Sequence, residues 1–391
     1  MRILLVLLTF FILPEDIHCQ TYAIGHRQVS FIDTARNNRQ VQTEIYYPSD
    51  VSGEDTPFSA DESGFPVLVF GHGFVMEWGA YANIWNAVVP EGYIIAFPRT
   101  ETGISPDHLT FARDIAFVVG AIQEEGNTVG SPFFGRVDTA SCVMGHSMGG
   151  GSSFLAIQFN PSITAIVNFA AAETNPSAIA AAALVNIPAL LFAGSNDCIT
   201  PPVTNQEMMF DSLGSACKTL VSITGASHCQ FAEQNVLCSF GELTCSPAPT
   251  ISRDEQHRLV DTLLIPWLDA HLKGDCTSSA QFQNILDSGA GWSYRQQYEP
   301  CITAKTDVLE ESVLLEVYPV PSSGNFYIKS TSPSTKAELW VFNAIGHMVY
   351  HQSMESDMEG IWHCDARLTS GVYYLQVSYA GRQETIKMII Q

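Results

Sequence analysis

An α/β fold with a mainly parallel central sheet, followed by a small all-β sandwich, is the architecture this sequence predicts. Three observations lead there. Short apolar runs alternate with helical patterns from Val67 to Leu272, as in a parallel sheet covered on both faces. Beyond Cys301 the helical patterns stop and short alternating runs take over. The 391 residues, 46% hydrophobic and 15% charged, suffice for two or three folding units with large cores and exclude a largely disordered chain.

The elements follow in chain order. Arg2 gives a charged start, and Ile3 to Leu13 is an apolar run of signal-peptide length. A bilayer span takes about 20 residues, so the run is too short to cross one. Pro14 ends it, and residues 1–19 read as a signal peptide cleaved near Cys19 and Gln20. No later stretch is long and apolar enough for a transmembrane segment in the mature protein. Residues 20–301 form the main domain. Tyr22 to Tyr47 is β-rich, with alternation such as Val41-Gln42-Thr43-Glu44-Ile45-Tyr46, and Pro48 to Gly64 is polar and turn-rich. Val67–Phe70, Tyr93–Phe97, Ser141–Gly145, Ala165–Phe169, Ala189–Ala193 and Thr219–Thr224 are strands; Phe111 to Gln123 has helical spacing. Arg253 to Leu272 reads as a final amphipathic helix, with Leu259, Leu263, Trp267 and Leu268 on one face. Residues 302–316 have linker character. Residues 317–391 alternate at Phe326–Ile328, Leu339–Phe342, Val372–Leu375 and Ile386–Ile389, with glycine turns between, which describes an antiparallel sandwich.

Charge and cysteines bound the setting. The formal charge is −22, a field that repels nucleic acid. Residues 317–391 carry five basic and six acidic side chains, so nearly all of that charge lies upstream. Eight of the ten cysteines fall between Cys142 and Cys301, and export makes disulfides the expectation for exposed ones. No Cys-x-x-Cys pair offers zinc-ligand spacing, so no metal or other cofactor is expected.

The chemistry centres on Gly145-His146-Ser147-Met148-Gly149. It follows a strand and opens a helix, the setting in which Gly-x-Ser-x-Gly lifts a serine hydroxyl above a sheet. The glycines allow a turn that a Cβ would obstruct. A serine needs a base and an orienting acid. Asp197 lies just past the strand Ala189–Ala193 and His228 just past Thr219–Thr224, in the order Ser, acid, His. Glu173, past the preceding strand, is the rival acid. Asp211 and Asp261 sit in helical patterns and read as solvated. Two N–H donors are needed for a tetrahedral oxyanion. The N–H of Met148 is one, and that of Phe74, in Gly71-His72-Gly73-Phe74, is the other. The Phe74 ring, Trp78 and Tyr81 are candidate cleft walls. His72 and His146 read as bracing loops.

Residues 40–275 resemble the α/β-hydrolase superfamily, and within it the cluster of chlorophyllases, platelet-activating-factor acetylhydrolases, dienelactone-hydrolase-like proteins and cutinase-like polyester hydrolases. The resemblance rests on Ile45-Tyr46-Tyr47-Pro48, on Phe65 to Gly73, on Gly145 to Gly150, on Gly194-Ser195-Asn196-Asp197 and on Ser227-His228. It implies a Ser147–Asp197–His228 triad and cofactor-free hydrolysis of carboxylic esters. Dienelactone hydrolases proper use cysteine where this chain has Ser147. The tail, from Val317-Tyr318-Pro319 to Lys387-Met388-Ile389-Ile390-Gln391, resembles the C-terminal sorting domains read by the type IX secretion system of Bacteroidetes. That resemblance implies an exported, secreted or surface-attached protein whose partner is the secretion machinery. A carbohydrate-binding sandwich is the alternative for the tail.

The expected activity is therefore that of a secreted serine esterase acting on a small-molecule, lipid or polyester substrate. Its alternatives are a lipase, polyester hydrolase or amidase with the same triad, and an inactive hydrolase fold used for surface binding. Cys198 and Cys229 directly follow Asp197 and His228, past strands expected to be neighbours, so they are expected to pair. Cys238–Cys245 and Cys276–Cys301 are the further expected pairs, with Cys142 a buried thiol. The competing arrangement joins Cys229 to Cys238 or Cys245 and leaves Cys198 unpaired.

Overall fold

The computed structural model describes residues 22–60, 64–289, 291–298, 315–330, 336–343, 347–357, 361–379 and 382–391. The signal peptide and most of the linker expected from the sequence lie outside these residues. Two compact units divide the chain, Met1–Cys301 and Ile302–Gln391.

In the first unit the described residues form one sheet. Its strands are β1 (Ala23–Asp33), β2 (Arg39–Ser49), β3 (Gly53–Glu54), β4 (Phe65–Gly71), β5 (Ile94–Pro98), β6 (Val137–His146), β7 (Ala165–Phe169), β8 (Ala189–Gly194), β9 (Lys218–Ile223) and β10 (Trp292–Gln297). The spatial order is β10-β9-β8-β7-β6-β4-β5-β2-β1-β3. From β9 through β5 every pairing is parallel, while β2 on β5, β1 on β2 and β10 on β9 are antiparallel. The helices are α1 (Ala82–Val88), α2 (His108–Asn127), α3 (Met148–Ala156), α4 (Ala178–Ala182), α5 (Gln206–Ser212), α6 (Val236–Glu242), α7 (Arg253–Leu272) and α8 (Cys276–Ser288).

Strand alternation explains the layering. In β4, Val67 and Val69 point to one face and Leu68 and Phe70 to the other. The first face packs on α2, α3, α4 and α5; the second packs on α1, α7 and α8. A sheet buried on both sides needs nearly continuous apolar strands, and β4 is buried along its whole length. This is the α/β-hydrolase arrangement, with the parallel strands where the apolar runs placed them. The helix Arg253–Leu272 is not the last: α8 and the edge strand β10 follow it. Both are polar, and only Ser278, Ser279, Phe282 and Leu286 of α8 are buried, so their apolar signal is thin.

The second unit holds two antiparallel sheets, each described by itself. One orders β11 (Leu315–Tyr318), β12 (Asn325–Ser330) and β15 (Ile361–Asp365). The other orders β14 (Met348–Glu355), β13 (Lys336–Asn343), β16 (Gly371–Tyr379) and β17 (Arg382–Ile390). Phe326, Ile328, Leu339, Val341, Trp362 and Leu375 form their shared core.

Candidate active site

Four loops leave the C-terminal ends of β4, β6, β8 and β9, the edge where open α/β sheets bind ligands. The β6–α3 turn carries Ser147. Its backbone sits at φ 55° and ψ −121°, a conformation costly for a residue with a Cβ. Three hydrogen bonds hold it there. The Ser147 N–H donates to the Phe169 carbonyl (3.0 Å), and the Ser147 carbonyl accepts from Gly151 (3.0 Å) and Ala172 (2.9 Å). The glycines are obligatory by contact: a Cβ on Gly145 would lie 2.4 Å from the Gly149 carbonyl carbon, and one on Gly149 would lie 2.0 Å from the Gly71 oxygen.

Asp197 and His228 meet as their strand ends suggest. His228 Nδ1 lies 2.8 Å from Asp197 Oδ2, with both side chains buried. Asp197 Oδ1 accepts the N–H groups of Ile199 and Thr200, each at 2.8 Å, and the Thr200 hydroxyl lies 2.8 Å from Oδ2. Two N–H donors and a hydroxyl thus hold the Asp197 carboxylate in one orientation. Its bond to Nδ1 orients the imidazole so that Nε2 is the nitrogen left to accept a proton. Glu173, the rival acid, is exposed, and its carboxylate accepts the N–H of Ile179 at the start of α4.

Sequence reasoning missed the buried supports of the His228 loop. Gln256 of α7 grips Ser227, accepting its N–H and donating to its carbonyl, both at 3.0 Å. Arg253 donates to the Cys229 carbonyl at 2.5 Å. His146 lies with Nε2 3.1 Å from the His228 carbonyl and Nδ1 3.1 Å from the Tyr81 hydroxyl. The Tyr81 oxygen in turn accepts the Gly73 N–H at 2.7 Å. These bonds are mutually consistent for a neutral His146 that donates from Nε2 and accepts at Nδ1. Full burial, with the neighbouring His228 ring, lowers its pKa well below the ordinary value. The bracing expected for His146 thus joins the β4 loop to the loop of His228. His72 likewise braces, contacting the carbonyls of Gly73 and Thr100. Tyr81 is buried behind the cleft rather than lining it, and Trp78 packs under the Arg99 guanidinium at 4.1 Å. A short sequence motif carries no signal of which side chains stand behind it.

Ser147 and His228 open into a cleft of about 290 Å³ whose other walls include Phe74, Ile199, Leu237 and Phe240. Among the described residues, the N–H groups of Phe74 and Met148 have no protein acceptor. A larger groove of about 530 Å³, by Arg36 and Phe117, contains none of these side chains. Among the described residues no group of three or more His, Cys, Asp or Glu is gathered where it could hold a metal ion.

The disulfides differ from the expected pairing. Cys198 joins Cys245 and Cys229 joins Cys238, with Cα–Cα distances of 5.5 and 5.7 Å. Neither Cys198–Cys229 nor Cys238–Cys245 forms. The chain beyond His228 folds back as α6 over the cleft and presents a cysteine to each loop, which strand order alone does not reveal. Cys276 is also disulfide-bonded; its expected partner Cys301 lies outside the described residues. Cys142 is a buried thiol.

Residues 21–244, more than half the chain, match the family described as PET hydrolase-like. The chain belongs to the PET hydrolase-like family. That family carries the α/β-hydrolase fold and hydrolase chemistry to which the turn at Ser147 also points. Residues 316–391 match the secretion system C-terminal sorting domain, which marks this PET hydrolase-like protein for secretion or the cell surface. No curated protein matches the chain. No described helix is long and apolar enough to cross a membrane.

Proposed function

We propose that this protein is a secreted serine hydrolase that cleaves carboxylic esters through Ser147, His228 and Asp197. The observation that carries the reading is the buried 2.8 Å bond between His228 Nδ1 and Asp197 Oδ2, at a cleft that also holds Ser147. In this reading His228 Nε2 takes the proton of the Ser147 hydroxyl as its oxygen attacks the ester carbonyl. The negative oxygen of the tetrahedral intermediate accepts the N–H groups of Phe74 and Met148. The intermediate collapses, the alcohol leaves with the proton from His228, and the acyl group stays on Ser147. Water, deprotonated by the same imidazole, then releases the acid. Asp197 holds the imidazole tautomer and stabilises its charged form.

The cleft supports an apolar ester. Its walls Phe74, Ile199, Leu237 and Phe240 are 48%, 42%, 59% and 74% exposed, so the rim stays open to a large substrate. That favours a polyester, in keeping with the family's description, over a deep acyl-chain tunnel. An ester panel graded by acyl size, with an insoluble aromatic polyester included, tests it. Turnover of small esters and release of soluble products from the polyester are expected. Turnover confined to amides would contradict the reading.

A further inference from the structure

The strap of residues 235–248, which contains α6, bonds to both chain neighbours of Asp197 and both chain neighbours of His228. Asn196 Nδ2 donates to the Ala248 carbonyl at 2.7 Å, and Cys198 is joined to Cys245. The Ser227 hydroxyl donates to Glu242 Oε2 at 3.3 Å, and the Cys229 N–H donates to Glu242 Oε1 at 2.8 Å. Cys229 is also joined to Cys238. One short segment thus fastens acid loop and base loop together by two covalent and three polar links. The same segment supplies Leu237, Cys238, Phe240 and Gly241 to the cleft.

We propose that this strap is the positioning and specificity element of the site. Glu242 and the two disulfides set the acid loop against the base loop, and Leu237 and Phe240 receive the apolar body of the ester. The proposal rests on the triad reading above. Its physical basis is that Asp197 and His228 come from separate loops, so the bond between them is only as well placed as those loops are. The base loop has further anchors in Gln256, Arg253 and His146. The acid loop is tied to it directly by the Asn196 N–H, which donates to the Ala226 carbonyl at 2.9 Å. Loosening the strap should therefore misplace the pair without unfolding the site, and small misplacements lower rate steeply. Phe240 does not touch the reacting atoms, so it should act on the choice of ester.

The test uses the full chain, with wild type beside Glu242→Ala, Glu242→Gln, the double variant Cys198→Ser/Cys245→Ser, and Phe240→Ala. Values of kcat and KM are measured on p-nitrophenyl acetate and on p-nitrophenyl benzoate. Glu242→Ala and the double cysteine variant should lose about tenfold in kcat on acetate with little change in KM. Glu242→Gln keeps an acceptor for the Cys229 N–H and should recover most of that loss, which a merely destabilising change would not do. Phe240→Ala should lower the benzoate-to-acetate ratio of kcat/KM by about tenfold, mainly through KM for benzoate. Variants that melt earlier yet keep wild-type kcat, KM and ester ratio overturn the proposal and leave the strap a plain staple. A wild-type protein that turns over neither ester overturns the triad reading and this proposal together.

Discussion

Ser147, Asp197 and His228 are three side chains from three strand ends, and in the proposed reaction each carries a separate burden. Ser147→Ala and His228→Ala should each lower kcat by about 10⁴- to 10⁶-fold, because triad members act as a unit. Asp197→Asn should lose somewhat less. Glu173→Gln should stay near wild type, since its carboxylate serves the start of α4. Steady-state kinetics on one ester decide all four. An inactive Glu173→Gln beside an active Asp197→Asn would reverse the acid assignment. These candidates could be picked out because a glycine-framed serine, an acid and a histidine each follow an apolar strand. Thr200, Gln256 and Glu242 could not. Their roles depend on which loops meet in space, and a lone Thr, Gln or Glu carries no motif.

At the scale of elements, the β6–α3 turn works only because β4, β6 and α3 approach to contact. Gly149→Ala should place a methyl 2.0 Å from the Gly71 oxygen, against backbone that cannot rotate away. Loss of both stability and activity is expected, at more than about 3 kcal/mol of destabilisation as for other forced overpacking. A denaturant melt near the wild-type midpoint would show that the turn has slack.

Helix α7 gives a pH-dependent counterpart. Asp261 reads as solvated from its helical pattern, yet it is half-buried, with Oδ1 shut off from solvent, and burial pushes its pKa up to about 7. In the unfolded chain it titrates near the ordinary value of 3.8. The folded state therefore holds the proton more tightly across the window from about 4 to 7. Stability from this group is full below that window and lost as pH rises through it. Asp261→Asn should melt higher than wild type at pH 8, by about 1–3 kcal/mol, and the gain should vanish near pH 4. Equal melting differences at both pH values would contradict the assignment. The missed α8 and β10 belong to this scale too: short, polar elements at a sheet edge bury too few side chains to print a period on the sequence.

For the whole molecule, two compositions serve two tasks. Residues 317–391 are close to neutral, so nearly all of the −22 charge lies before them, and their described elements are all β-strands. That contrast made the boundary region readable, because the helical patterns stop by Cys301 and the acidic excess stops at residue 317. Disulfide partners were not readable, because they depend on how the chain beyond His228 returns over the cleft. Truncation after residue 305 should leave an esterase with kcat within about twofold of the full chain, since each unit has its own core. In its host the truncated protein should collect in the periplasm, as cell fractionation would show. Normal export of the truncated form would refute the sorting role of the tail.

Everything in the proposed reaction depends on Ser147 being a nucleophile activated by His228. Covalent labelling with a fluorophosphonate, followed by peptide mass mapping, tests it most directly, because only an activated serine reacts quickly. One phosphonylated residue, Ser147, is expected in the wild-type protein, with labelling slowed at least about a thousandfold in His228→Ala. Ester turnover by a protein whose Ser147 peptide stays unmodified, or equal labelling of the His228→Ala variant, would contradict it.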